Sequence, residues 1–342
     1  MEEDLRRKAI LTLGGGVLLP EGFTLPCRIS HSTAGPGAGF GSFAFSFNGY
    51  RVKKSVSYET GEFELHEDRD GKLSLTHNGE PFIDSITIEP VVRHCSEQAF
   101  FNLDPRCIFH CAYCNSPLLD MSEDKHLSTE KIMDMLRESV SEHDVKAVSF
   151  TSGVVSSVDS TVERFVDVVK AVRSKYPNMP IGVEPYVSSR GHIEMLKAAG
   201  ADEIKLNIET PRKDIFERVC PDLDYDGIWG LLEDAVDVFG KGRVISNIIY
   251  GMGESNSDLE DAMEKMCSIG VIPGLRALRT NGINSEQLTS AIGHPEPVTP
   301  ARAMRLADMQ KSILSKHGLS TLTSVTMCME CGCCDLVPFR DL

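Results

Sequence analysis

From about residue 98 onward the chain alternates short apolar runs with amphipathic stretches, and this alternation constrains the fold more than any other feature. After a first strand entering the segment near residue 98, apolar runs follow at Val145 to Thr151, Ile181 to Val187, Glu203 to Ile208, Arg243 to Tyr250 and Gly274 to Arg279. The stretches between them carry helix-start signals. Ser160-x-x-Glu163 and Ser257-x-x-Glu260 read as capping boxes, and Thr299-Pro300 places proline in a first turn. Strand-helix repeats build a parallel sheet with helices outside, and chemistry then collects on the loops at the C-terminal ends of the strands. Six such units are present, two short of a closed eight-fold barrel.

Residues 1–92 read differently. Runs such as Ser42-Phe43-Ala44-Phe45-Ser46-Phe47 alternate with the turn dipeptides Asp70-Gly71 and Asn78-Gly79, so the expectation is a small antiparallel meander. The stretch Ala34-Gly35-Pro36-Gly37-Ala38-Gly39 lacks the lysine of a phosphate loop and reads as a flexible loop. Residues 93–320 form the strand-helix domain, and 321–342 a cysteine-rich tail. A net charge of -15 disfavours nucleic acid or an anionic membrane as the main partner. The N-terminus lacks a positively charged start followed by an apolar run, which makes a cytoplasmic setting the expectation.

The first strand of the repeat leads into Arg106-Cys107-Ile108-Phe109-His110-Cys111-Ala112-Tyr113-Cys114. Its C-x3-C-x2-C spacing supplies three soft thiolates from one loop, the ligand type that selects iron-sulfur clusters or zinc. A [4Fe-4S] cube held by Cys107, Cys111 and Cys114 keeps one iron open to a small molecule. The same residues also suit a zinc knuckle, with His110 as a fourth ligand. Cys27, Cys220 and Cys267 are isolated and read as buried small apolar residues.

With the aromatic Tyr113 before its third cysteine, the loop resembles that of the radical S-adenosylmethionine (SAM) superfamily. The resemblance implies a partial (β/α)6 TIM-like barrel in which SAM chelates the open iron and is cleaved reductively to a 5'-deoxyadenosyl radical. It covers about residues 95 to 320. Leu206-Asn207-Ile208-Glu209-Thr210-Pro211-Arg212 resembles the fourth-strand segment of biotin and lipoyl synthases, which implies that Asn207 and Glu209 bind the SAM ribose hydroxyls. Strand alternation puts both on one face. Ile249-Tyr250-Gly251-Met252-Gly253-Glu254 is similar to a segment that packs against adenine in those families, with Gly251 and Gly253 allowing close approach. Thr151-Ser152-Gly153 is a variant of a Gly-Gly-Glu-like segment of the superfamily, placing Ser152 and Gly153 near the SAM amino group. Glu184 either pairs with the SAM ammonium or a ribose hydroxyl, or is a solvated strand-end charge. Arg276 and Arg279 alternate on the sixth strand, in reach of the SAM carboxylate or an anionic substrate.

Cys328, Cys331, Cys333 and Cys334 crowd into the tail. Adjacent Cys333 and Cys334 cannot easily reach one cube together, so three of the four, with Cys95, Cys27, an oxygen or substrate completing the set, would hold an auxiliary [4Fe-4S] cluster. Structural zinc is the alternative. An auxiliary cluster beside the radical site points to sulfur insertion at a C-H bond, as in biotin and lipoyl synthases. Lipoyl synthase carries its extra cysteines before the radical SAM loop and this chain carries them after the barrel, a departure from the orthodox lipoyl synthase pattern; the barrel motifs are compatible with an archaeal-type lipoyl synthase of two cooperating radical SAM proteins. Other readings give the second cluster to electron transfer or substrate anchoring in peptide modification, methylation or cofactor assembly, or make the chain a non-catalytic iron-sulfur or zinc scaffold. The expected partners are a ferredoxin- or flavodoxin-type electron donor and a small-molecule or carrier-bound substrate, under anaerobic conditions.

Overall fold

The computed structural model describes residues 2–118 and 126–342. An N-terminal helix, α1 (Glu2–Leu13), precedes strands β1 (Val17–Leu18), β2 (Ser30–His31), β3 (Gly41–Phe47), β4 (Tyr50–Ser57), β5 (Phe63–Glu67), β6 (Leu73–His77) and β7 (Glu80–Glu89). The two turn dipeptides fall where the sequence places them, between β5 and β6 and between β6 and β7. Asn78 and Gly79 both take positive φ, 51° and 83°, as a tight hairpin turn requires. The sheet is more than the expected meander. Its order is β2-β3-β4-β1-β5-β6-β7, the short β1 runs parallel to both its neighbours, and β3 also pairs with β7, so the sheet curls back on itself. Phe43, Phe45, Phe63 and Leu65 fill its interior.

The remaining strands are β8 (Gln98–Asn102), β9 (Ala147–Thr151), β10 (Ile181–Glu184), β11 (Glu203–Lys205), β12 (Val244–Tyr250) and β13 (Ile272–Ala277). All pair in parallel and in sequence order. This is the partial (β/α)6 barrel of the sequence reading. Between and after the strands lie α2 (Thr129–Glu142), α3 (Val158–Lys175), α4 (Arg190–Ala199), α5 (Lys213–Val219), α6 (Tyr225–Phe239), α7 (Asn256–Ile269), α8 (Ser285–Ile292) and α9 (Pro300–Lys316), with a final short helix, α10 (Met327–Cys331). Thr299 caps α9 as expected. Two other helices start earlier than the capping boxes suggested. Ser157 caps α3 and Ser255 caps α7, the latter with Asp258 reciprocating in the role assigned to a glutamate.

The tail runs beneath the barrel and joins its parts. Lys53 N of β4 donates to Cys333 O (3.0 Å), Gln98 Nε2 of β8 to Met327 O (3.2 Å), and Lys8 Nζ of α1 to Gly332 O (2.7 Å). Lys8 also forms a buried ion pair with Asp341 at 2.7 Å. Among the described residues, no helix is long and apolar enough to cross a membrane.

Candidate functional site

The cysteine loop leaves the end of β8 and is fastened to the neighbouring strand end by backbone bonds: Leu103 N to Thr151 O (2.8 Å), Gly153 N to Asp104 O (2.8 Å) and Ile108 N to Val154 O (2.7 Å). Asp104, fully buried, accepts from Arg106 N (3.0 Å) and Arg106 Nε (2.9 Å). Burial alone would raise this carboxyl, but Arg106 and Arg164 outweigh it and hold it below its ordinary value. Gly153 has a reason to be glycine. A Cβ there would lie 2.1 Å from Arg106 O and 3.1 Å from Cys107 Cβ, so any side chain would push the loop off its seat. Ser152 Oγ donates to Gly153 O (2.8 Å) and steadies the same turn.

Cys107, Cys111 and Cys114 are free, half-buried thiols. Burial raises Cys107, and raises Cys114 to about 11, so ligation must displace protons that the site itself does not expel. Among the described residues no three His, Cys, Asp or Glu side chains converge on a single-ion site. Three thiols from one loop are a donor set that suits an iron-sulfur cube. His110 is turned away, paired with Asp222 at 3.0 Å.

Tyr113 is buried. Its hydroxyl bonds to Glu209, and its backbone oxygen accepts from Asn284 Nδ2 (2.9 Å). Cys220, buried as expected, is not isolated: it lies against Cys111 and Tyr113. Glu209 holds φ at 61°, a left-handed conformation uncommon for a side-chain-bearing residue. It is kept there by Ile249 N donating to its carbonyl (2.6 Å) and by its own N donating to Asn247 O (3.2 Å). Burial lifts its carboxyl to about 7.

Below Glu209, on the same face, Asn207 Nδ2 donates to Glu184 Oε1 (3.1 Å) and Asn207 Oδ1 accepts from Asn247 N (3.1 Å). Glu184 is no solvated strand end, because Lys205 Nζ pairs with it at 2.8 Å. Lys205 in turn lies 3.5 Å from Cys328 Sγ. At the next strand end, Gly251 and Gly253 take φ of 105° and 108°. A Cβ at Gly251 would meet Val298 at 2.7 Å, whereas Gly253 faces open space. Glu254 pins this turn by accepting from Gly251 N (2.8 Å) and Met252 N (2.9 Å), and Arg302 neutralises it at 2.8 Å. Sequence reading missed Glu254, although a carboxylate just past two glycines is a signal for such a turn. It also read residues 34–39 only as a flexible loop. Pro36 O and Ala38 O accept from Asn115 Nδ2 (3.0 and 3.1 Å), which lays that loop against the cysteine loop.

At the base, buried Glu203 accepts from Ser324 Oγ (2.9 Å), Val325 N (2.9 Å) and Thr326 N (3.0 Å), drawing the tail under the strands. Gly182 and Gly274 make room for it. Cβ atoms there would lie 2.4 Å from Thr326 Oγ1 and 2.9 Å from Met329 Cε. Arg276 and Arg279, read as within reach of the SAM carboxylate or an anionic substrate, make contacts to the tail: Arg276 pairs with Asp335, and Arg279 donates to Cys334 O (3.1 Å). The counter-charge of Asp335 supplies the physical reason for Arg276. The four tail thiols also separate. Cys331 lies beside Cys333, whose thiol donates to Cys331 O (3.4 Å), and beside Cys95, while Cys328 faces Lys205. Cys27 is elsewhere, donating to Glu89 O.

Residues 101–266 match the sequence profile of the radical SAM superfamily. A biotin synthase of Macrococcus caseolyticus is 24% identical over 215 residues, covering 60% of this chain and 61% of the relative. A lipoyl synthase of Sodalis glossinidius is 27% identical over 211 residues, covering 58% and 63%. The chain thus spans about three fifths of the length of these curated relatives. Among solved structures, the FeFe-hydrogenase maturase HydG from Carboxydothermus hydrogenoformans superposes with a TM-score of 0.54 at 16% identity, over 65% of this chain and 52% of its own. Methylornithine synthase does so at 0.51 and 15%, over 65% and 69%. These structures share the barrel fold.

Proposed function

The chain carries a radical SAM domain, and from that premise we propose that it inserts sulfur at an unactivated C-H bond of an alkyl chain. One observation supports this reading above the others: a continuous polar line runs from Glu209 and Asn207 at the mouth through Glu184 and Lys205 to the tail thiol of Cys328.

A [4Fe-4S] cluster on Cys107, Cys111 and Cys114, with SAM bound, supplies one-electron cleavage of SAM and hydrogen abstraction from carbon. The chain's own groups do the rest. Asn207 and Glu209 accept and donate at the ribose hydroxyls, and Tyr113 fixes the orientation of Glu209. Gly253 leaves a bare surface for a flat ring. Lys205 balances Glu184, so the lumen below the mouth offers polar groups without a net uncompensated charge between them. The tail thiols other than Cys328, which faces Lys205, would hold an auxiliary [4Fe-4S] centre as the sulfur source, and a ferredoxin- or flavodoxin-type donor would provide the electron.

The test loads the protein anaerobically using isotopically heavy sulfide, then adds SAM, a strong reductant and saturated acyl chains, free or attached to a carrier protein. The expected product carries heavy sulfur, with 5'-deoxyadenosine formed in step. A modified C-H bond without heavy sulfur would assign the tail to electron transfer or substrate anchoring.

A further inference from the structure

Folding regroups the thiols that the sequence places in one tail cluster. Cys331 is the hub, with the thiols of Cys333 and Cys95 set beside it. Cys334 stands close enough to act on both Cys95 and Cys333. Cys95 belongs to the segment between β7 and β8, far from the tail in sequence, and its placement is built rather than incidental. Its carbonyl accepts from Val92 N (3.1 Å), its thiol donates to Gln98 O (3.8 Å), and Gln98 in turn holds Met327 O of the tail. On the other side, Lys53 N holds Cys333 O.

The charges around this group are unusual. Lys53 and Lys54 are buried, with relative exposures of 8% and 5%. The Lys53 ammonium bonds to Ser30 Oγ (3.2 Å), His94 O (2.5 Å) and His94 Nδ1 (3.2 Å), and that of Lys54 to Leu11 O (2.5 Å) and Gly14 O (2.6 Å). Every one of these partners is an uncharged group when His94 is neutral, and among the described residues no carboxylate lies within ion-pair distance of either ammonium. Glu62 reaches Lys54 only at longer range. Lys53 acts on Cys95 and Lys54 on Cys334, and Arg276 acts on Cys328, Cys331 and Cys334 while paired with Asp335. Burial lowers Lys54 to about 7, which relieves part of its cost, whereas the Lys53 ammonium without a carboxylate is costly unless an anion completes its site. A metal held by several thiolates is such an anion.

We propose that Cys95, Cys331 and Cys333 ligate a second iron-sulfur centre, seated between the N-terminal sheet and the base of the barrel and balanced by Lys53. This deepens the auxiliary-centre part of the function proposed above by naming a ligand that lies outside the tail. Metal at this position also staples the tail to the segment that leads into β8. Its test reads metal rather than product, so it stands or falls independently of whether sulfur reaches a substrate.

The full chain, Cys95→Ala, Cys95→Ser and Cys27→Ala are each loaded anaerobically with iron and sulfide, and iron, sulfide and zinc are counted. Wild type and Cys27→Ala are expected to hold two centres, about eight iron if both are cubes, and the Cys95 variants one, about four iron. The remaining centre in the Cys95 variants should change its electron paramagnetic resonance signal when SAM is added, which shows that the barrel mouth is folded. Lys53→Met should shift the reduction potential of the second centre to more negative values and leave that of the first in place. Full metal in both Cys95 variants, or a single centre in wild type, would overturn the assignment, and an unmoved potential would remove Lys53 from it.

Discussion

The two ends of the barrel both gather cysteines, and they do so by opposite means. At the mouth, three thiols come from one short loop, held by backbone bonds to β9 and by the buried Asp104 with its arginines. At the base, thiols from the tail meet one from before the barrel, enclosed between two sheets and surrounded by Lys53, Lys54, Lys205 and Arg276. The mouth leaves open space beside Gly253, whereas Gly182 and Gly274 at the base are filled by tail side chains. A site that must admit a molecule is assembled locally at a rim. A site that serves from within is assembled by the whole fold.

The sharpest way to break this contrast is to remove one thiol from each end. Cys111→Ala should reduce 5'-deoxyadenosine formation to the uncatalysed background, because the open iron is lost with its cluster. Cys331→Ala should abolish product while 5'-deoxyadenosine continues to form, uncoupled from it. Assaying both compounds on both variants checks the pair, and product at wild-type yield from Cys331→Ala would sink the division of labour. Glycine substitutions probe the same contrast more gently. Gly153→Ala should unseat the cysteine loop and lower iron at the mouth, whereas Gly182→Ala should dislodge Thr326 and expose the tail to protease. Overpacking of this kind costs about 1–3 kcal/mol, readable as a fall in thermal midpoint. If each alanine disturbed both ends equally, the ends would not be separate assemblies.

How legible each end was in the sequence follows from the same difference. The order of the six strands and the cysteine loop at the end of the first are short-range patterns that the structure keeps, but β11 ends at Lys205, so Asn207 and Glu209 lie beyond it and Glu209 turns to a left-handed φ. The N-terminal sheet was legible only as hairpins, because the insertion of β1 between β4 and β5 is a long-range pairing with two residues of signal. Arg276 was read toward the SAM carboxylate or an anionic substrate and Glu184 toward SAM or solvent, and in the fold their charges meet Asp335 and Lys205. Partners so distant in sequence leave no periodic trace. Cys95 and Cys220 are the same case, single residues whose neighbours only folding supplies.

The smallest expected effect separates the ends by pH. Burial raises Glu209 from its ordinary 4.5 to about 7, outweighing the bonds from Tyr113 and Asn207. The folded chain therefore binds more protons at this residue than the unfolded chain between those values, so Glu209 makes stability fall as pH rises through that window. Ribose binding runs the other way, since the ionised carboxylate is the better acceptor for two hydroxyls. With a pKa near 7 the ionised fraction rises about tenfold between about pH 6 and about pH 8, and SAM affinity should strengthen by up to that factor. Glu209→Gln should flatten the profile without changing metal content at the base. Equilibrium SAM binding on the anaerobically loaded protein checks this, and a pH dependence that survives in Glu209→Gln would move its origin away from the mouth.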